Sequence, residues 1–235
     1  CLLALVDWAL LAPQVLEQHE IVSETLSAWL DSEQVGKVSL AAELCCKLLV
    51  ARRVNRPEWI ARLVVLFFQP PTHCEDVDES MELGSPSRLP QVLSVFFHTL
   101  PDRSVLVDCT SFLLELFAKR KKDKLPIVKM LDFILESLES PKATAVNGEE
   151  SRPFSPTKSS VSNSRLKVCV HLATFLESSY DRVTKTNLRA LCKLLGSREV
   201  NKDTDDQKHL HNLRMAVEEV TASVEDATSL KNLGP

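Results

Sequence analysis

Amphipathic helical periodicity recurs along this chain and constrains its fold more than any other feature. In residues 37–53, apolar side chains return every three or four positions, which gives one wide apolar face. This face consists of Leu40, Ala41, Leu44, Cys45, Leu48 and Leu49. The same spacing predicts further helices over 55–69, 89–99, 102–119, 124–139, 165–180, 184–195 and 207–230. Because only five of the 235 residues are glycine and only 6% are aromatic, the chain is predicted to be all-α.

The helix predicted over 55–69 also has a start signal. Asn55 and Glu58 have the spacing of a capping box, and Pro57 stands in the first turn, where its missing N–H is not needed. The Pro70-Pro71 pair is expected to end this helix, because the residue before a proline avoids the helical conformation.

The succession of short helices and short loops favours a HEAT-type α-solenoid of antiparallel helix pairs. An irregular helical bundle would show almost the same pattern. We predict HEAT-repeat helices over 1–140 and C-terminal helices of the same solenoid over 165–235. Residues 141–164 contain six serines and three prolines but few apolar side chains, so they are predicted to be a disordered linker. The narrow apolar stripe of the last helix fits packing on a neighbouring helix or on another protein.

Composition excludes several classes of protein. No apolar run reaches the roughly 18 residues that a membrane-spanning helix requires, and we expect no membrane partner. The apolar start is interrupted by Asp7 and follows no basic region, so a signal peptide is not expected. Cys1 in place of methionine suggests a piece of a longer chain. The seven cysteines lie mostly in apolar helical patterns and never as C-x-x-C, which is typical of reduced core thiols.

Motifs of catalysis are missing from the sequence. It has no phosphate-binding loop, dinucleotide fingerprint, nucleophile elbow or metalloprotease helix, so we expect no enzymatic activity, no cofactor and no small-molecule substrate. One segment is dense in metal-ligating residue types: His73, Cys74, Glu75, Asp76 and Asp78. Because no second ligand pair stands at zinc spacing, this segment is predicted to be a solvated acidic loop rather than a metal site.

Basic residues cluster at two predicted turns, although the net charge of −4 does not itself decide whether the chain binds nucleic acid. The first cluster follows a helix end: Lys119, Arg120, Lys121, Lys122 and Lys124. The second surrounds another turn: Lys47, Arg52, Arg53, Arg56 and Arg62. Such clusters can neutralise phosphates, so both are candidate contacts to the backbone of duplex DNA. The alternative is that these cations complement helix C-termini and keep the surface soluble.

One stretch, from Val38 to Leu100, carries a family signature. It reads VSLAAELCCKLLVARRVNRPEWIARLVVLFFQP and, after a loop, SRLPQVLSVFFHTLP. It resembles the carboxy-terminal HEAT-repeat region of the condensin complex subunit 3 family, of the chromosome-associated protein G type. The matching residues are Ala42, Glu43, Lys47, Leu48, Leu49, Phe68, Pro70, Gln91, Leu93, Ser94, Val95, Phe96 and Phe97. The chain departs from that family at Leu44, where a glycine is usual, and at Gln69, where an asparagine is usual.

The resemblance implies a non-SMC regulatory subunit of condensin. Such a subunit binds the kleisin subunit, and through it the SMC dimer, and helps condensin to grip duplex DNA without sequence preference during mitotic chromosome condensation. It implies a location in the nucleus and on chromosomes, with a cytoplasmic share in interphase. The runner-up is an unrelated HEAT or armadillo scaffold, of the transport or phosphatase type, that binds protein and not DNA.

Two segments fit the S-P-x-[KR] pattern that cell-cycle kinases prefer. They are Ser85-Pro86-Ser87-Arg88 and Ser155-Pro156-Thr157-Lys158, and both fall in predicted loops. A phosphate would add roughly −1.5 to −2 charges there. Ser85 and Ser155 are therefore candidate phosphorylation sites, an interpretation that resemblance to a family acting in mitosis strengthens.

Overall fold

The computed structural model describes residues 2–12, 20–71, 85, 87–119, 125–139, 158–179, 182–196, 207–223 and 231. Within these residues the regular secondary structure consists of helices, without a strand. The chain divides into two compact units, Cys1–Val105 and Leu106–Pro235. The predicted all-α class is confirmed, and within each unit the helices pack on near neighbours in sequence, as in helical-repeat solenoids.

Five helices form the first unit around one central helix. They are α1 (Leu2–Leu11), α2 (Glu20–Leu30), α3 (Val35–Val50), α4 (Pro57–Phe68) and α5 (Leu89–Thr99). α3 packs against α1, α2 and α5, and α4 packs against α5. The apolar face predicted for α3 forms the core of this unit, with Ala41, Leu44, Cys45 and Leu48 fully buried.

The start of α4 differs from the prediction. Arg56 is the N-cap residue and no side chain caps the helix, so the proposed capping box between Asn55 and Glu58 is wrong. Pro57 does occupy the first helical position. The fixed φ of Pro57 suits the first helical position. The N-cap is therefore Arg56, one residue later than the Asn55 that the capping box would require. The Glu58 carboxylate instead accepts a hydrogen bond from Arg56 Nη1 at 3.3 Å.

Five further helices form the second unit. They are α6 (Val105–Lys119), which begins at the boundary, α7 (Ile127–Glu139), α8 (Lys158–Ser179), α9 (Lys185–Gly196) and α10 (Gln207–Ser223). α8 packs against α7, α9 and, most extensively, α10. The apolar stripe of α10 is buried through Leu213, Ala216 and Val220. The stripe on the last helix therefore packs on a neighbouring helix of the same chain.

α8 begins at Lys158, inside the segment 141–164 that was predicted to be a linker. Residues 158–164 are thus helical, whereas 140–157 lie outside the described residues. The first turns of α8 are rich in serine and lack an apolar period, so periodicity could not reveal them. They extend a helix that is already nucleated, at one further hydrogen bond per residue.

Candidate functional site

The turn after α3, residues Ala51–Arg56, holds three of the predicted DNA contacts and is called the basic turn below. α3 ends there in a Schellman motif: Arg53 N–H donates to the Leu48 carbonyl at 2.9 Å, and Arg52 N–H donates to the Leu49 carbonyl at 3.0 Å. The motif requires a left-handed residue, and Arg52 takes that conformation with φ 53°. Glycine is the usual residue at this position.

Arg52 adopts this conformation at an energetic cost. A residue with a Cβ in the left-handed region loses about 1 kcal/mol relative to its ordinary conformations. The backbone hydrogen bonds of the motif offset part of that cost, whereas the exposed Arg52 side chain has no ion-pair or hydrogen-bond partner among the described residues. A strained residue with an uncompensated charge is a reason to look for a ligand.

The other arginines of the second basic cluster are engaged within the chain. Arg53 Nη2 donates to the Leu10 carbonyl at 2.7 Å and so ties the turn to the end of α1. Arg56 pairs with Glu58. Arg62 pairs with Asp31. The hydrogen bond that Arg62 donates to the Asp31 carboxylate is the main reason why the pKa of the guanidinium is raised. The predicted cluster is therefore only partly a free basic surface.

Of the first basic cluster, the structure describes a single residue, Lys119. Lys119 ends α6, and its Nζ lies 3.7 Å from Glu115 Oε2 one turn earlier. Both side chains are well exposed, so this pair contributes little to stability and leaves Lys119 available to a ligand. The other members, Arg120, Lys121, Lys122 and Lys124, lie outside the described residues.

A groove of about 730 Å³ lies between α3 and α5, and Leu10 of α1 also lines it. Its lining is Leu10, Glu43, Cys46, Lys47, Val50, Ala51, Arg88, Gln91, Val92, Val95, Phe96 and Thr99. The two halves of the family signature supply opposite walls, since Glu43 and Lys47 come from the first motif and Gln91, Val95 and Phe96 from the second. Sequence reasoning did not predict this groove.

The lining of the groove is mainly apolar. Val95 is 63% exposed and Val50 is 39% exposed. Both values are high for valine, which is usually buried in folded proteins. Burial raises the pKa of the Cys46 thiol well above its ordinary range, and the nearby Glu43 raises it further. Cys46 therefore stays a neutral thiol and acts as a small apolar side chain.

One ion pair spans the groove. Arg88, the N-cap residue of α5, places its Nε 3.1 Å from Oε1 of Glu43 in α3. The Glu43 side chain is only 3% exposed, whereas that of Arg88 is 38% exposed. A glutamate within the apolar face of a helix was the one signal in the sequence that could have indicated this buried pair.

Ser85, one of the two predicted phosphorylation sites, lies in the turn before α5. Its side chain is buried, with 9% exposure, and its Oγ is 2.8 Å from Ser87 Oγ. Arg88 N–H donates to the Ser85 carbonyl at 3.1 Å. Ser155 lies outside the described residues.

Other kinds of site find little support in the part of the chain that the structure describes. None of its helices is both long enough and apolar enough to cross a membrane. No three of its His, Cys, Asp and Glu side chains are grouped so as to hold a metal ion. The acidic segment from His73 to Asp78 lies outside the described residues.

Comparison with known proteins identifies the family. Residues 6–200 match the family described as nuclear condensing complex subunits, C-terminal domain, and this range includes the basic turn and both walls of the groove. No curated protein and no solved structure matches the chain. Subunits of this family are scaffolds that act with the other condensin subunits in chromosome condensation, in the nucleus or on chromosomes. The resemblance seen in the sequence is thereby confirmed, and the chain belongs to the family of condensin non-SMC subunits through their C-terminal domain.

Proposed function

We propose that this chain is a helical scaffold within condensin that binds the kleisin subunit and the backbone of duplex DNA. The observation that carries the DNA part is the left-handed Arg52, whose exposed guanidinium has no partner among the described residues. Glycine would relieve the strain at this position, and the positive charge is present instead.

The basic turn suits backbone contact rather than base readout. Arg52 and Arg53 are exposed, and Lys47 is exposed one turn earlier in α3. Arginine side chains contact phosphate oxygens without reading sequence, and each neutralised phosphate releases counterions. The DNA affinity is therefore expected to fall steeply with salt and to be independent of sequence.

The groove between α3 and α5 supports the kleisin part. It is apolar, has the volume of a typical ligand pocket and presents two exposed valines. Apolar grooves between helices take extended or helical segments of partner proteins. We therefore propose the groove as a contact site for a kleisin segment.

A salt series of duplex DNA binding tests the DNA part. Arg52→Gly is expected to lower the salt slope by about 0.9, the loss of one phosphate contact. Lys37→Gln is the matched control, since Lys37 is exposed at the other end of α3, with its Nζ 5.9 Å from the centre of the Trp29 ring. Substitution of Lys119, Arg120, Lys121 and Lys122 by Glu is expected to collapse the slope further.

Equal slopes for the wild type and both basic variants would contradict the DNA proposal. The same holds if the wild type fails to bind at low salt. The chain would then be a protein-binding scaffold, a function that the engagement of Arg53, Arg56 and Arg62 within the fold favours.

A kleisin titration tests the groove separately. Val95→Glu introduces a charge at an exposed apolar position of the lining and is expected to weaken kleisin binding by about tenfold or more. Ile21→Glu is the control, because Ile21 is equally apolar, 67% exposed, and does not line the groove. Equal weakening by both variants, or by neither, would count against the groove as the kleisin site.

A further inference from the structure

We propose that the exposed side of α9 is a second contact surface for the phosphate backbone of duplex DNA, an inference that rests on the proposed binding of DNA by this chain. Its cations are Lys185, Arg189 and Lys193, which stand four residues apart and are all exposed. Residues four apart lie on one side of an α-helix, so these side chains form a single row, called the α9 row below. Arg182, which is also exposed, lies three residues before Lys185 and adds a further positive charge.

The charge on α9 has a single sign. The helix contains three Lys or Arg residues and no Asp or Glu, a combination that no other helix in the described part of the chain has. The whole chain carries a net charge of −4, so the positive charge of this face is a local feature and not a result of overall composition. A surface of one sign attracts a polymer of the opposite sign.

Helix stability does not account for this arrangement. Lys193 lies in the last turn of α9, where a cation complements the helix dipole. Lys185 is the first residue of α9, where the same dipole disfavours a cation. Arg189 stands four residues from each lysine, which is the spacing at which like charges on a helix repel each other. Features that cost stability in this way are typical of functional surfaces.

The exposed side of α9 suits a polyanion better than a protein partner. The large apolar side chains of the helix are Leu188, Leu191, Leu194 and Leu195, and all four are buried. The binding energy of protein interfaces is concentrated in a few anchors that are often aromatic, and α9 contains no aromatic residue. For the same reason α9 has no surface on which unpaired bases could stack, so the duplex backbone is the form of DNA that it fits.

The length of the α9 row fits several phosphates of one DNA strand. An α-helix rises about 1.5 Å per residue, so Lys185 and Lys193 are about 12 Å apart along the helix axis. One strand of duplex DNA carries a phosphate about every 3.4 Å of its axis, so this length spans three or four phosphates. Arg189 already has an interaction within the chain, so we count only the two lysines as phosphate contacts.

A salt series of duplex DNA binding by the 235-residue chain tests the α9 row. Lys185→Gln combined with Lys193→Gln is expected to lower the salt slope by about 1.8, the loss of two phosphate contacts. Lys37→Gln combined with Lys208→Gln is the control, because it changes the net charge equally at two lysines that are exposed on other helices. The control should leave the slope unchanged, and equal slopes for the two double variants overturn the proposal.

A charge reversal separates binding from folding. Lys185→Glu places a carboxylate in the first turn of α9, where the helix dipole favours it, so the melting temperature should stay equal or rise. DNA binding at low salt should nevertheless weaken by about threefold or more. Unchanged DNA binding by Lys185→Glu overturns the proposal. A weakening that comes with a lower melting temperature also overturns it, because Lys185 would then act through the fold.

The same salt series separates failure of the α9 row from failure of the proposed function. A wild-type chain that does not bind DNA at low salt overturns both. A slope that responds to Arg52→Gly but not to the α9 double variant leaves the basic turn as a DNA contact and overturns the α9 row. The reverse pattern supports the α9 row and removes the basic turn. If the α9 double variant loses kleisin binding and keeps its salt slope, the row contacts a protein and the proposal is wrong.

Discussion

The guanidinium of Arg62 holds the carboxylate of Asp31 through two hydrogen bonds, Nε to Oδ1 at 2.9 Å and Nη2 to Oδ2 at 2.7 Å. Asp31 directly follows α2, and Arg62 lies in the middle of α4. A third hydrogen bond links the same region, from Trp59 Nε1 in α4 to Ser27 Oγ in α2 at 2.7 Å. Arg62 thus helps to fix α4 against α2, and its charge is neutralised there.

Loss of the Asp31 carboxylate should therefore weaken the first unit. We expect Asp31→Ala to lower the free energy of unfolding by about 1 kcal/mol, since the pair is two-pronged but partly exposed to solvent. Urea denaturation of Asp31→Ala, Arg62→Ala and the double variant gives the coupling energy. A coupling of zero would show that solvent screens the pair completely.

Replacement of Arg52 by glycine should stabilise the fold. The left-handed backbone at φ 53° costs less for glycine, and we expect a gain of about 0.5–1 kcal/mol after glycine's greater freedom in the unfolded chain is included. Arg52→Ala is the control, because alanine keeps the Cβ and the strain. Equal unfolding free energies for the two variants would contradict the strain at this position.

Removal of Arg88 should cost more than removal of both members of its ion pair. Arg88→Gln leaves the Glu43 carboxylate buried without its cation, and we expect a loss of about 2 kcal/mol, reduced from the fully buried case because Arg88 is 38% exposed. Glu43→Gln combined with Arg88→Gln should recover part of that loss in chemical denaturation. If the double variant is less stable than Arg88→Gln, the pair is not the dominant interaction of Glu43.

Stability should decline at alkaline pH because of the buried thiols. Burial raises the pKa of Cys45, Cys46 and Cys109 above the ordinary value of 9.0. Above about pH 9 the unfolded chain releases these protons and the folded chain keeps them, so the free energy of unfolding falls as pH rises. Each thiol contributes up to about 1.4 kcal/mol per pH unit.

Urea midpoints between pH 8 and pH 10.5 measure this decline. Other groups titrate in the same range, so Cys109→Ala is the comparison that isolates one thiol. Its stability should fall less steeply with pH than that of the wild type. A slope identical to the wild type would mean that Cys109 ionises equally in the folded and unfolded chains.

Helix positions were predictable wherever one face is apolar. α5 begins and ends at the predicted residues 89 and 99, because its apolar residues keep a regular spacing up to both ends. The start of α8 was missed by seven residues because its first turns are polar, and hydrogen bonding along the backbone leaves no periodic trace in such a sequence. The family was predictable because the residues of its signature stand in short contiguous runs of the sequence, in α3, at the end of α4 and in α5.

For the candidate site, the sequence predicted which residue types are present but not their contacts. The sequence places arginines at one turn, but it does not show which of them already have partners. Arg53 bonds a carbonyl 43 residues earlier, and Arg62 bonds a carboxylate 31 residues earlier. The groove was missed for the same reason, because Glu43 and Arg88 meet only through the packing of α3 against α5.

The distribution of tryptophan makes the two units optically distinguishable. Trp8, Trp29 and Trp59 all belong to the first unit, and Leu106–Pro235 contains none. Trp59 is fully buried with its indole N–H bonded to Ser27, so its emission is expected to shift when the first unit loses its packing. Circular dichroism at 222 nm follows the helices of both units. Comparison of the two denaturation curves therefore shows, without any added label, whether the two units unfold in one cooperative transition or one after the other.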